Sequence, residues 1–184
     1  MKTRSLLIAS VLLITGVVAT SDASDNNPRR RFSARMSSFN EVPSIATGAH
    51  GTFRATLNNA ETVLSFELTW SGLSGPPMVA HVHLGQFFAN GNVSFFLCGG
   101  GGQPSCPATT SGTIRGTVTA ANVMAVTTQG LRANDLAQIL GAMRMGVTYA
   151  NMHTMQFPGG ENRGEIFTSE GDGGDNGDNG DNSD

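Results

Sequence analysis

Residues 61–70 read ETVLSFELTW. Leu64, Phe66, Leu68 and Trp70 fall on one side of a two-residue period, and Ser65, Glu67 and Thr69 fall on the other. Successive side chains of an extended strand point to opposite faces, so this stretch buries one face and wets the other. A helix would scatter the same apolar residues around its circumference. The pattern recurs: RFSARMSSF alternates Phe32, Ala34 and Met36, and GTFRATL alternates Phe53, Ala55 and Leu57. Turn residues NNAE, Asn58 to Glu61, separate two of these stretches and predict an antiparallel hairpin. Further strand-like runs follow in VAHVHLG, NVSFFLC, GTIRGTVT, GVTYANMHT and GENRGEIFT. About eight short strands with turn signals between them predict an all-β fold, an antiparallel β-sandwich.

One segment breaks the period. NDLAQILGAMRMG places Leu136, Ile139, Leu140 and Met143 at helical spacing. Asn134 or Asp135 can cap its start and Gly146 can end it, so one short helix is expected over one end of the sheet. Met143 and Met145 read as core filler.

The two ends of the chain are different material. Residues 1–23 join a basic start, Lys2 and Arg4, to an apolar run from Leu6 to Ala19 that is short for a membrane span. This is the pattern of a signal peptide, with cleavage after Ala19 or Ala23; an uncleaved anchor is the alternative. Residues 24–30 read as a linker and 31–168 as the domain. Residues 169–184 form an acidic Gly/Asp/Asn tail with no apolar side chain to offset the entropy of ordering, so disorder is expected there. Its Asp residues recur at every third position, whereas an EF-hand alternates ligands at every second one. Residues 24–170 carry nine basic and eight acidic side chains, so the domain is close to neutral and offers no footprint for nucleic acid. Arg29 to Arg31 are a local basic patch, read as solvated.

Cys98 and Cys106 enclose GGGGQPS. In an exported chain two cysteines this close pair as a disulfide, the glycines letting the sulfurs meet. A two-thiolate metal site is the alternative, although no CxxC spacing supports it. The glycines are followed by neither Lys-Ser/Thr nor a helix, so they do not read as a phosphate cradle. No GxSxG elbow points to an esterase nucleophile.

The chain has four histidines. In VAHVHLG, Ala80, Val82 and Leu84 share one strand face, and His81 and His83 share the other, with Cα atoms about 7 Å apart. Two such imidazoles are half a metal site. His153 in YANMHT is the candidate third ligand, and imidazoles suit zinc or copper. The competing reading is a polar pocket in which the same rings bond to backbone or to Glu41, Glu161 and Arg163. Glu161, Arg163 and Glu165 alternate and predict an ion-pair ladder. His50 has no local partner and reads as an exposed turn residue.

Four segments in order, FNEVPSIATGAHG (39–51), LTWSGLSGPPMVAHVHLG (68–85), VSFFLCGGGGQPSCP (93–107) and LGAMRMGVTYANMHTMQFPGGENRGEI (140–166), resemble the CHRD domain. This module takes its name from chordin and also occurs in many bacterial secreted proteins, of which this chain looks like a member. His81, His83, His153, Glu41, Glu161 and Arg163 fall on matching positions; His50 does not. Two departures stand out: Asn162 replaces an apolar residue in the closing segment, and Ala150 and Met152 replace valines. The resemblance implies an all-β extracellular module. In chordin the domain belongs to a secreted antagonist of growth-factor signalling. The HVH strand is also similar to the copper-ligand strand of copper/zinc superoxide dismutase, over that stretch alone.

The expected function is therefore a secreted or periplasmic binding or structural module, non-enzymatic, with a histidine-lined site for zinc or copper. An unknown extracellular ligand or protein is its expected partner, and no integral span remains after signal removal. A dismutase-like copper/zinc redox enzyme is one alternative. An adhesion or matrix module, with the acidic tail making contacts, is the other.

Overall fold

A computed structural model describes residues 27–169. The signal-peptide reading and the tail beyond Ser169 lie outside the described residues. Among the described residues nine strands form: β1 (Arg31–Ser37), β2 (His50–Leu57), β3 (Leu64–Ser71), β4 (Pro77–Leu84), β5 (Asn92–Cys98), β6 (Gly112–Val118), β7 (Thr148–Thr154), β8 (Asn162–Glu165) and β9 (Phe167–Thr168). They hydrogen-bond as one sheet in the order β5-β4-β7-β8-β1-β2-β3-β6, with β9 also pairing β1. Each pairing between these strands is antiparallel. The sheet curls until its end strands approach each other. The chain after β6 crosses to β5, where Met124 N–H donates to the Ser94 carbonyl at 2.8 Å. The all-β expectation holds, and the arrangement lies between a sandwich and a barrel.

The alternation read from the sequence is the alternation seen. Phe32, Ala34 and Met36 on β1, Phe53, Ala55 and Leu57 on β2, and Leu64, Phe66, Leu68 and Trp70 on β3 are buried in one core. Ala80 and Val82 of β4 and Ala150 and Met152 of β7 join it from the other half of the sheet. The β2–β3 turn is held by Asn58, whose side-chain oxygen accepts from the N–H groups of Thr62 (2.8 Å) and Val63 (3.1 Å).

The helix α1 (Leu136–Arg144) starts at Asp135, which accepts from Gln138 N–H at 3.0 Å. Its buried face is Leu136, Ile139, Leu140 and Met143. Gly146 follows with φ 68°, a conformation glycine adopts without strain. Met145 is not core filler: it lies past the buried stripe and is exposed. The run GENRGEIFT is not one strand either. It divides into β8 and β9 at Ile166, which turns into the core. Within the stretch read as a linker, Pro28–Arg30 form a single 3-10 turn leading into β1. Cys98 and Cys106 form a disulfide with Cα atoms 5.0 Å apart.

Candidate metal centre

The register of β4, β7 and β8 assembles the site. Val79 pairs with His153, His81 with Asn151 and His83 with Tyr149. Across β7, Asn151 pairs with Arg163 and Tyr149 with Glu165. Side chains paired across a ladder share a face, so His81, His83, Tyr149, Asn151, His153, Arg163 and Glu165 all stand on the side opposite the apolar core. Loops cover this face, and β7 is buried along its whole length.

His81 lies between the other two histidines. Its ring centroid is 4.5 Å from that of His83 and 4.5 Å from that of His153. Phe96 on β5 meets the His81 ring edge-on at 5.3 Å. One ring nitrogen from each histidine lies within 4.8 Å of the others. Among the described residues this is the one group of three such side chains placed to share an ion.

Two of the rings are oriented by backbone. His83 Nδ1 is 2.9 Å from the Gly91 carbonyl, and His153 Nδ1 is 2.9 Å from the Pro158 carbonyl. A carbonyl only accepts, so in each neutral ring Nδ1 carries the proton and Nε2 carries the lone pair. Both Nε2 atoms are buried without a hydrogen-bond partner, as is Nδ1 of His81. Burial pushes His81 down to about 2, with the neighbouring His83 and His153 adding to the shift. Burial likewise takes His83 to about 4; the Gly91 carbonyl opposes this, while His153 and Arg163 reinforce it. His153 is lowered by burial and partly restored by the Pro158 carbonyl. All three rings are therefore neutral at physiological pH, the state a metal ligand requires.

The supporting shell contains more than the sequence suggested. Tyr149 stacks on His83 at 4.5 Å with the planes 4° apart, and the Arg163 guanidinium lies 3.5 Å from the Tyr149 ring centroid. Two groups that close cannot share one face of the ring, so Tyr149 is sandwiched between them. Arg163, fully buried, pairs with Glu165 at 2.7 Å. It also donates to the carbonyls of Ala89 (3.0 Å) and Gln86 (3.5 Å) and to Asn90 Oδ1 (3.3 Å). These bonds pin the loop 85–91, and Tyr149 Oη accepts from Gly91 N–H at 3.0 Å. The carbonyl that fixes His83 belongs to that same Gly91. A Cβ there would overlap the Leu84 carbonyl, so only glycine lets the loop close over the strand.

Glu41 reaches the site through Asn151, whose amide donates to Glu41 Oε2 at 3.3 Å. Burial pushes Glu41 up to about 7; the Asn151 bond and Arg163 oppose the shift and Glu161 adds to it. Glu161 turns elsewhere: its oxygens accept from Ser74 N–H (2.8 Å), Ser74 Oγ (2.8 Å) and Thr154 Oγ1 (2.6 Å). The expected ladder is thus half built, with Arg163 hydrogen-bonded to Glu165 and not to Glu161. His50 is exposed on β2, its Nδ1 bonded to the Gly48 carbonyl at 3.0 Å, away from the trio.

Tyr149 and Asn151 were not singled out from the sequence. They precede His153 at spacings of four and two, so strand periodicity alone places them on its face. Loop 85–91 carried no such signal, because its role lies in backbone carbonyls.

Among family profiles, the CHRD domain matches residues 32–166. Comparison with curated proteins and with solved structures returns no match.

Proposed function

This chain belongs to the CHRD domain family, and from that premise we propose that it is a secreted or periplasmic binding or structural module built around a His81/His83/His153 site for zinc or copper. The carrying observation is the pair of imidazoles whose Nδ1–H groups donate to backbone carbonyls while their Nε2 atoms are buried without a protein partner, in a trio with one ring nitrogen from each histidine within 4.8 Å of the others. A histidine that ligates through one nitrogen commonly donates its other N–H to a carbonyl or carboxylate, which orients the ring. A purely structural trio would bond the inward nitrogens to protein, and here they are not so bonded. Two nitrogens on one ion with bonds of about 2.0–2.1 Å lie at most ~4.2 Å apart. The observed spread of 4.8 Å therefore needs only small ring rotations to close. Zinc supplied to such a site would act as a structural cross-link between β4 and β7; copper would add redox capacity.

Export is supported by the disulfide, since such bonds persist in oxidising compartments. Among the described residues no helix is long and apolar enough to cross a membrane. The partner is an extracellular ligand or protein.

Elemental analysis of protein purified without a histidine tag, then loaded with zinc or copper and desalted, tests the site. About one equivalent is expected in the native chain and none in the His83→Ala/His153→Ala chain. Absence of bound metal from the loaded native chain defeats the proposal. Three protein ligands leave a coordination position open, so the copper-loaded chain is also assayed for superoxide dismutation. Activity lost with His83→Ala would move the reading to the redox enzyme.

A further inference from the structure

The half of the sheet far from the histidines presents another kind of surface. On β1 the outward residues are Arg31, Ser33 and Arg35, alternating with buried Phe32, Ala34 and Met36. On β2 they are Thr52, Arg54 and Thr56. The register sets Arg54 beside Ser33 on one side and Glu67 of β3 on the other, and Glu67 is ion-paired with Arg115 of β6. Among the described residues, Arg31, Arg35, Arg54 and Arg115 share this face with Glu67. A groove of about 320 Å³ runs along β1 and β2, lined by residues 31–35 and 52–56, with Arg31, Arg35 and Arg54 among them.

Ser169 stands on the rim of that groove. It arrives there because β9 pairs with β1, and Ser169 N–H donates to the Arg31 carbonyl at 3.1 Å. The chain that continues from this point carries Glu170, Asp172, Asp175, Asp178, Asp181 and Asp184, with no Lys, no Arg and no apolar side chain. We infer that the occupant of the arginine face is this chain's own acidic segment 170–184, its carboxylates set against Arg35 and Arg54 across β1 and β2.

Charge complementarity is the first support. Guanidinium groups bind carboxylates with paired N–H donors, and neighbouring hydroxyls add donors of their own. Reach is the second. Fifteen residues span at most ~50 Å, whereas the four strands of this face cover only ~15 Å at about 4.8 Å each. Tethering is the third. A segment that starts at the rim is present at an effective concentration on the order of millimolar, so a weak contact is populated without a tight one. Each exposed pair contributes only ~0–1 kcal/mol and is screened over about 8 Å at physiological salt. The contact is therefore multivalent and salt-sensitive, and it shields the face from free polyanions.

Amide chemical shifts of the full chain and of a chain ended after Ser169, compared in 20 mM and 500 mM salt, test this. Truncation is expected to shift Ser33, Arg35, Thr52 and Arg54 at low salt, with the differences falling about five-fold at high salt. In the Arg35→Glu/Arg54→Glu background, truncation should leave those amides in place. Both substitutions are at exposed positions, and the core shifts report that the fold is kept. Differences confined to residues 165–169, or persisting after charge reversal, overturn the assignment. Heparin serves as the competing probe: the truncated chain should reach half-saturation at a concentration about five-fold lower than the full chain. Equal midpoints also overturn it.

Discussion

The two halves of this sheet use similar strands and treat their outer faces in opposite ways. On β3 buried Leu64, Phe66, Leu68 and Trp70 alternate with more open Ser65, Glu67, Thr69 and Ser71. On β7 all seven residues are buried, because the loops cover the face opposite the core. A covered polar face must satisfy its groups from within. Arg163 with Glu165, Asn151 with Glu41, and His83 and His153 with two carbonyls do so. What remains unpartnered on that face includes Glu41 Oε1, Asn151 Oδ1, Glu165 Oε2 and one ring nitrogen of each of the three histidines. Burial of polar groups, and not strand geometry, separates the chemical half of the sheet from the solvated half.

One ion pair from each half tests the contrast most strongly. Arg163→Ala removes the partner of a buried carboxylate and three contacts to loop 85–91, and should cost ~3–5 kcal/mol in urea unfolding. Arg115→Ala removes an exposed partner of Glu67 and should cost under ~1 kcal/mol. Similar losses from the two would break the comparison. Arg163→Ala should also weaken zinc or copper binding, because the loop it pins supplies the carbonyl that orients His83.

Metal addition comes next. If the trio binds an ion in the folded state alone, metal at 100 times Kd stabilises the chain by about 2.7 kcal/mol. The melting temperature of the native chain should rise with zinc or copper, and that of His83→Ala should not. A rise retained in His83→Ala would place the ion elsewhere.

In the metal-free chain, pH should act on the order of 2 kcal/mol. His81 and His83 have folded values of about 2 and about 4, below the ordinary 6.5. Their contribution is present above pH 6.5 and is lost as pH falls, because the unfolded chain takes up the protons. Glu41 runs the other way: with its value raised from 4.5 to about 7, its contribution is present below pH 4.5 and is lost as pH rises through 7. The histidines outnumber it, so stability measured with a chelator should climb from pH 4.5 to 6.5 and then level or dip. Glu41→Gln should remove the dip. A profile flat across this range would mean that the rings are not held neutral.

The sequence made the solvated half legible in detail, because alternation is the direct imprint of one buried and one wet face. It also placed His81 and His83 together, since their spacing is local. The link to His153 needed the order of matching segments as well as periodicity, for nothing local couples residues seventy apart. Helical spacing continued past Arg144, where α1 ends, puts Met145 in the core, whereas it is exposed. The partners of Glu161 were out of reach for a similar reason. Ser74 sits in a link whose approach to β7 is a matter of tertiary path. The Gly91 and Pro158 carbonyls have no side-chain signature at all.

The smallest expected effect concerns a polar residue that the covered half sends toward the core. Asn162 pairs with Met152 on β7 and is fully buried, and neither Oδ1 nor Nδ2 has a hydrogen-bond partner. Its amide packs against Gly51, where a Cβ would lie 3.1 Å from Nδ2, so the space is sized for this side chain and little more. An unpartnered buried amide costs ~1–3 kcal/mol, while an apolar group of similar volume incurs no such penalty. Asn162→Leu should therefore stabilise the chain by about 1 kcal/mol, a rise of a few degrees in melting temperature for a domain of this size. The larger Asn162→Phe should destabilise it by overpacking against Gly51. Zinc or copper affinity should be unchanged in Asn162→Leu, because the residue faces away from the histidines. A loss of stability in Asn162→Leu would mean that this amide is bonded in solution, and that the polar layer extends through β8 to the core side.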